Sequence, residues 1–289
     1  MRCLWAGVLI VVPLCGFAGS EGESDPLRPE VSPGTAAPVV VPSSAGESNP
    51  EPTPPPLPDL TPDLFCAVAA ADTKLVGQLL DAGVDVNAAL PQPASPDLLK
   101  RFRDTDLEYY ITVEKGLSPL MLASAMGYTD IVRLLLDRGA KRHAVTKKHR
   151  TFALWLAGRY GHVEAMQLLL GVAPESDVGQ TKIHISLTDQ TAWFWKDGKI
   201  ERNFPVSTGR KKLPTPKGRF VVTDKYKEWK STIYPAKMPY FLRFSCKDFG
   251  MHAGVLPGYP ASHGCIRIPV ADAKVLFEEV PVGTLVEIE

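Results

Sequence analysis

Between residues 63 and 173 the apolar positions recur at helical spacing, and the recurrence itself repeats. In GLSPLMLASAMGYTDIVRLLLDRGA (116–140) a turn leads into a short apolar stretch, a Gly127 break, and an amphipathic run closed by Gly139. This pattern predicts a pair of helices. LLDAGVDVNA (79–88) returns as LLDRGAKRHA (135–144), and IVRLLL (131–136) is echoed 34 residues later by AMQLLL (165–170). About three stacked units are expected over 63–175, the first (63–88) lacking the turn signature as an N-terminal cap. An insertion near 89–115, polar with a few aromatics, interrupts the period and has the length for an extra helix.

From residue 181 the period changes from helical to alternating. In KIHISLTDQTAWFWKDGKIERNFPVSTG, Ile183, Ile185 and Leu187 share one face, and Asp197-Gly198 marks a hairpin turn. Trp193 and Trp195 lie two apart and are assigned to the core. Further strands are expected over RFVVTDKY (219–226), MPYFLRFSC (238–246) and the terminal TLVEIE. Only DAKVLFEEV (272–280) has helical spacing. The chain therefore reads as multidomain: an α-helical repeat solenoid, then a mainly β domain (181–289) with one small helix.

The N-terminal segment changes the picture of where the protein works. Residues 1–20, MRCLWAGVLIVVPLCGFAGS, read as a secretory signal: one arginine, an apolar run, then small residues at an A-x-A-like cleavage site. Its run of about 15 apolar residues falls short of the roughly 20 that a spanning helix needs. Pro13 and Leu14 argue against lipid attachment at Cys15. No other stretch is long and apolar enough to cross a bilayer, so an exported protein of the periplasm or cell envelope is expected. Residues 21–62 hold 12 of the 27 prolines and almost no large apolar side chain, which predicts a disordered, extended linker.

The net charge is zero and gives no argument for nucleic acid as a partner. Residues 181–289 carry 17 Lys/Arg against 11 Asp/Glu, a balance that suits an anionic polymer or simply a solvated lysine face. Beyond the signal the cysteines are Cys66, Cys246 and Cys265, an odd number that leaves at least one thiol free or intermolecular.

The candidate chemistry lies in MHAGVLPGYPASHGCIRIP (251–269). Zinc would need about four ligands, and only His263-x-Cys265 is local. A buried structural cysteine is the bland alternative, though two polar histidines suit an apolar pocket poorly. Nucleophilic catalysis accounts for more of the residues: a thiol becomes reactive when an imidazole takes its proton. His252 can reach Cys265 from an adjacent strand, because Gly254, Pro257, Gly258 and Pro260 let the chain fold back. His263 would share the face of Cys265 in a strand, or shape the loop. Gly264 lets backbone N–H groups approach an oxyanion. Arg267 is available for a substrate carboxylate, and Ser262 and Tyr240 are further candidates for substrate contact.

Two resemblances follow from these residues. The repeat resembles ankyrin repeats, with Ser118-Pro119-Leu120-Met121 standing where T-P-L-H is usual, and this implies a protein partner or a rigid spacer. SHGCIR (262–267) with an upstream histidine resembles the signature of the L,D-transpeptidase (YkuD-like) catalytic domain. FPVSTGRKKLPTPKGRFVV (204–222) resembles that family's S-T-G…T-P-x-G-x-F block, and SLTDQTAWFWKDGK (186–199) its first hairpin. The resemblance implies peptidoglycan stem peptides as substrate, Cys265 as thioester-forming nucleophile and His252 as proton donor/acceptor. It implies an oxyanion held by the backbone around His263, Gly264 and Cys265, and no metal or organic cofactor. The acceptor would be an amine, as in cross-linking, or water, as in an L,D-carboxypeptidase; a third reading is an ankyrin-based binding protein with an inert catalytic domain. Two departures are the short interval from His252 to Ser262 and Ala253 after the histidine.

Overall fold

The computed structural model describes residues 59–174, 180–231, 235–245 and 249–289, which form one unit; the signal reading, the linker reading up to residue 58 and Cys246 lie outside these residues, and the first helix begins at Thr61, inside the expected linker. Helices come first: α1 (Thr61–Ala69), α2 (Thr73–Asp81), α3 (Pro96–Phe102), α4 (Glu108–Thr112), α5 (Pro119–Met126), α6 (Thr129–Asp137), α7 (Ala153–Tyr160) and α8 (Val163–Leu169). The pairs α1–α2, α5–α6 and α7–α8 are the three expected units. Local chemistry sets their ends. Ser118 Oγ accepts from Met121 N–H at 3.3 Å with Pro119 in the first turn, so this start is capped without the usual histidine. Gly127 and Gly161 end α5 and α7 at φ 71° and 74°, in the left-handed region glycine favours. The amphipathic spacing of α6 buries Ile131, Val132 and Leu135, each worth about 1.5–3 kcal/mol relative to exposure.

The insertion forms two short helices, and they are part of the helical core. Leu98, Phe102, Leu107 and Ile111 are buried in it. Arg101 Nη1 donates to the Ala69 carbonyl at the end of α1 (3.0 Å), and Tyr110 packs 6.2 Å from Trp155 of α7. The face along α1 and α7 is thus occupied by the chain itself.

The second half is an eight-stranded sheet with one helix. Its strands are β1 (Lys182–Ser186), β2 (Thr191–Lys196), β3 (Lys199–Pro205), β4 (Gly218–Lys230), β5 (Lys237–Phe244), β6 (Gly250–Ala253), β7 (Ile266–Ile268) and β8 (Leu285–Ile288), with α9 (Val270–Glu279) before the last. The order is β3-β2-β1-β8-β4-β5-β6-β7, parallel at β1–β8 and β6–β7 and antiparallel elsewhere. The helical-then-β architecture is the one the sequence predicts. One face assignment is reversed: Ala192 and Phe194 enter the core, while Trp193 and Trp195 lie half-buried on the other side. There Trp193 meets His184 at 5.5 Å and Trp195 lies under Lys182 Nζ at 4.9 Å, so side-chain cover rather than the core shields the indoles.

The two halves are joined by packing. Val221 of β4 is fully buried in the helical core. Gln167 Nε2 donates to the Gly283 carbonyl at 3.0 Å. At Gly158 of α7 a Cβ would stand 2.8 Å from the Ser245 carbonyl oxygen, so the backbones touch. The sheet serves as the C-terminal cap that a stack of repeats needs.

Candidate active site

β6 carries His252, and β7 begins one residue after Cys265; in their parallel register His252 stands opposite Arg267. Side chains alternate along a strand, so Met251, Ile266 and Ile268 enter the core while His252 and Arg267 turn to the other face. There a cleft of about 420 Å³ is bordered by His252, Ser262, His263, Cys265 and Arg267, with Met238 of β5 closing one side. The foldback expected between the histidines is present: 254–261 is irregular, and Gly258 takes φ 86°.

His252 is buried, and its ring orientation is fixed. Its Nδ1 lies 2.8 Å from the Ala253 carbonyl. A carbonyl only accepts, so Nδ1–H donates and Nε2 of the neutral ring keeps its lone pair. The ring also packs edge-on against Phe241, 6.4 Å away. Burial lowers the pKa of His252; the bond to Ala253 opposes this, and the Arg267 charge adds to it. The neutral form of the imidazole is thereby favoured, with Nε2 open to a proton. Because the contact is made by the backbone of residue 253, alanine serves there as well as glycine.

The loop before β7 is braced from three directions. Ser207 and Arg267 exchange backbone hydrogen bonds (2.9 and 3.0 Å), and Ser262 N–H donates to the Thr208 carbonyl at 3.0 Å. Gly209 has no room for a side chain, since a Cβ would lie 2.3 Å from the Leu213 carbonyl oxygen. The S-T-G block is thus the seam that holds the thiol loop. The Ser262 hydroxyl is spent within that loop: it donates to the Cys265 carbonyl and accepts from Gly264 N–H (3.1 Å). It therefore organises the loop, while the residue also lines the cleft. The same bond engages the N–H of Gly264 itself.

Thr215, 3% exposed, completes the brace. Its Oγ1 accepts from Gly209 N–H and donates to the Gly264 carbonyl, both at 2.8 Å. In a planar trans peptide the carbonyl and the following N–H point in opposite directions. Holding the Gly264 carbonyl on the Thr215 side turns the Cys265 N–H away from it. Gly264 reaches this geometry at φ 120°, a region other residues rarely enter. Thr215 belongs to the T-P-x-G block, 49 residues from Gly264, a separation at which sequence carries no signal of the contact.

The remaining candidates separate. His263 is exposed in the turn before β7, so it does not share a strand face with Cys265. Partial desolvation and the charges of Arg210 and Arg267 lower its pKa. Arg267 crosses Gly254, where a Cβ would lie 3.0 Å from its Cγ, so that glycine makes room for the arginine stem. Tyr240 is set apart from the expected substrate contact: its ring packs against Phe277 of α9 at 5.7 Å, on a backbone with φ 53°. Among the described residues, no three His, Cys, Asp or Glu side chains gather as a metal-binding group. Cys66 is a free thiol 3.5 Å from Ser95 Oγ.

Comparison with known proteins adds the family. Residues 180–288 match the family profile of the L,D-transpeptidase catalytic domain (YkuD), and residues 64–182 match ankyrin repeats in three copies. Ankyrin repeat domain-containing protein 17 of Mus musculus is 40% identical over 68 residues, 23% of this chain, and the chain spans 3% of that relative's length. A solved L,D-transpeptidase from Mycobacterium tuberculosis H37Rv is 25% identical, with a TM-score of 0.36, covering 38% of this chain and 57% of that one. Another from Xylanimonas cellulosilytica is 25% identical, with a TM-score of 0.36, covering 44% of this chain and 69% of that one. The chain thus carries a region that matches ankyrin repeats, followed by one that matches the L,D-transpeptidase catalytic domain.

Proposed function

We propose that the protein is an exported peptidoglycan L,D-transpeptidase whose nucleophile is Cys265. The observation that supports this reading is that Cys265 and His252, whose imidazole is held by the Ala253 carbonyl, line one cleft. His252 Nε2 takes the thiol proton as sulfur attacks the carbonyl between the diamino-acid L-centre and the terminal D-alanine. Negative charge on the carbonyl oxygen is met by the Cys265 N–H, turned by the Thr215–Gly264 bond. The C–N bond breaks, the proton passes from His252 to the departing D-alanine amine, and a thioester remains. An acceptor amine then attacks the thioester, giving its proton to His252, which returns it to sulfur. Arg267, which lines the same cleft as Cys265, binds a substrate carboxylate in this reading.

Ankyrin repeats point to a protein partner for the helical half. Export rests on residues 1–20, and N-terminal sequencing of secreted protein tests it. The reaction is tested by incubating the chain with a disaccharide tetrapeptide and analysing products by mass spectrometry. Released D-alanine with a cross-linked dimer is expected. Tripeptide alone identifies water as the acceptor and an L,D-carboxypeptidase. Release of D-alanine by Cys265→Ala at the wild-type rate refutes the nucleophile.

A further inference from the structure

A second surface, outside the cleft, is built where α4 meets the loop between α6 and α7. Lys147, Lys148 and Arg150 are exposed there, and Lys115 joins them because Lys147 N–H donates to its carbonyl at 2.9 Å. Among the described residues none of the four forms an ion pair with a carboxylate. The adjacent acid, Glu114, is fully buried and turned inward. It accepts from the N–H groups of Lys148 (3.4 Å) and His149 (3.1 Å) and from His149 Nδ1, so it clamps the loop backbone. Thr146 N–H to the Thr151 carbonyl (2.9 Å) and Thr151 N–H to Thr146 Oγ1 (3.0 Å) close the loop. The cations stand on a preformed support. Arg150 holds φ 51° without being glycine, a backbone cost retained at the tip of the charged loop.

Exposed apolar side chains belong to the same segments. Tyr109, Val113 and Phe152 are 39%, 44% and 36% exposed, and Lys148 Nζ lies 5.6 Å from the Tyr109 ring centroid. Positive charge on a backbone-clamped loop, with an exposed aromatic ring beside it, fits carboxylates that flank an apolar side chain.

We propose that this surface docks an acidic polypeptide segment carrying an aromatic or aliphatic side chain among its carboxylates. It gives the protein partner of the ankyrin half a site and a chemistry, and it does not depend on the catalytic reading. A preformed loop lowers the ordering cost of binding, and the rim charges speed encounter and make it salt-sensitive.

The test uses the full chain and a fluorescein-labelled peptide of Glu and Asp with one Phe, read by anisotropy. Saturable binding is expected, weakened about tenfold or more in Lys147→Glu/Lys148→Glu and by raising salt from about 0.05 to 0.3 M. Phe152→Ala should weaken binding while leaving the salt dependence unchanged. Cys265→Ala should bind as the wild type does, which separates this result from failure of the catalytic reading. Melting curves accompany each variant, and Lys148→Gln replaces the double variant if the latter is destabilised. Absence of peptide binding, equal binding by the charge variants, or binding of phosphatidylglycerol vesicles in place of the peptide overturns the proposal.

Discussion

Replacing Thr215 by valine keeps the shape and removes one hydroxyl, so it isolates the brace beneath the thiol loop. Two groups lose a partner, the Gly209 N–H and the Gly264 carbonyl. An unsatisfied buried polar group costs about 1–3 kcal/mol. Two such groups cost about 2–6 kcal/mol, and a unit of this size loses roughly 2–4 °C of Tm per kcal/mol, so a fall on the order of 4–24 °C is expected. The catalytic effect is separate. Losing an oxyanion donor outright costs about 10²–10³ in rate. Here the peptide is freed to rotate, so the expected loss in acylation rate is smaller, on the order of 10–100-fold. The assay is the rate of mass gain on Cys265 with tetrapeptide, measured well below the Tm, beside a thermal scan. Thr215→Ser should restore most of the rate. If the valine variant melts earlier but acylates at the wild-type rate, Thr215 is structural only and the account of the oxyanion donor is wrong.

Further outcomes follow from single contacts. Arg267 depresses the pKa of His252, so Arg267→Gln should move the acid limb of the pH–rate profile upward, toward the ordinary histidine value of about 6.5; an unmoved limb contradicts that coupling, whatever the change in rate. Burial works against the charge of Glu114, but hydrogen bonds from His149 and Thr146 hold its pKa below the usual range. A depressed carboxylate stabilises the fold above its unfolded pKa of about 4.3 and loses that contribution as pH falls through the folded value. Urea titrations should therefore show the wild type's advantage over Glu114→Gln in full at pH 7 and fading at more acid pH. Gly158→Ala places a methyl 2.8 Å from the Ser245 carbonyl oxygen. Overpacking of about 1–3 kcal/mol should outweigh the roughly 1 kcal/mol gained in helix propensity, lowering the urea midpoint.

The sequence made some of this legible, and the reason differs by element. α6 and α8 announce themselves because their apolar faces repeat over two turns. β6 and β7, which carry the site, have four and three residues, too few for alternation to stand out. Trp193 and Trp195 share one face, as their spacing predicts, but the buried face is that of Ala192 and Phe194. His252, Cys265 and Arg267 could be found together because a foldback of glycines and prolines links them. Thr215 could not, since its partner is distant in sequence and its contact is with backbone. Ser262 adjoins the motif in sequence, but the bonds its hydroxyl makes within the loop emerge only from the fold. The insertion read as a polar interruption because its buried side chains are spread across two short helices.

The central claim is that Cys265 becomes acylated with His252 as its base, and intact-mass measurement of the full chain with a disaccharide tetrapeptide addresses it most directly. The account predicts a mass gain equal to the substrate less D-alanine, mapped to Cys265 and reversed by an added acceptor amine. It predicts no gain in Cys265→Ala, and in His252→Ala a rate lower by about 10²–10⁴-fold. An adduct at another residue, or one formed as fast without the imidazole, would contradict it.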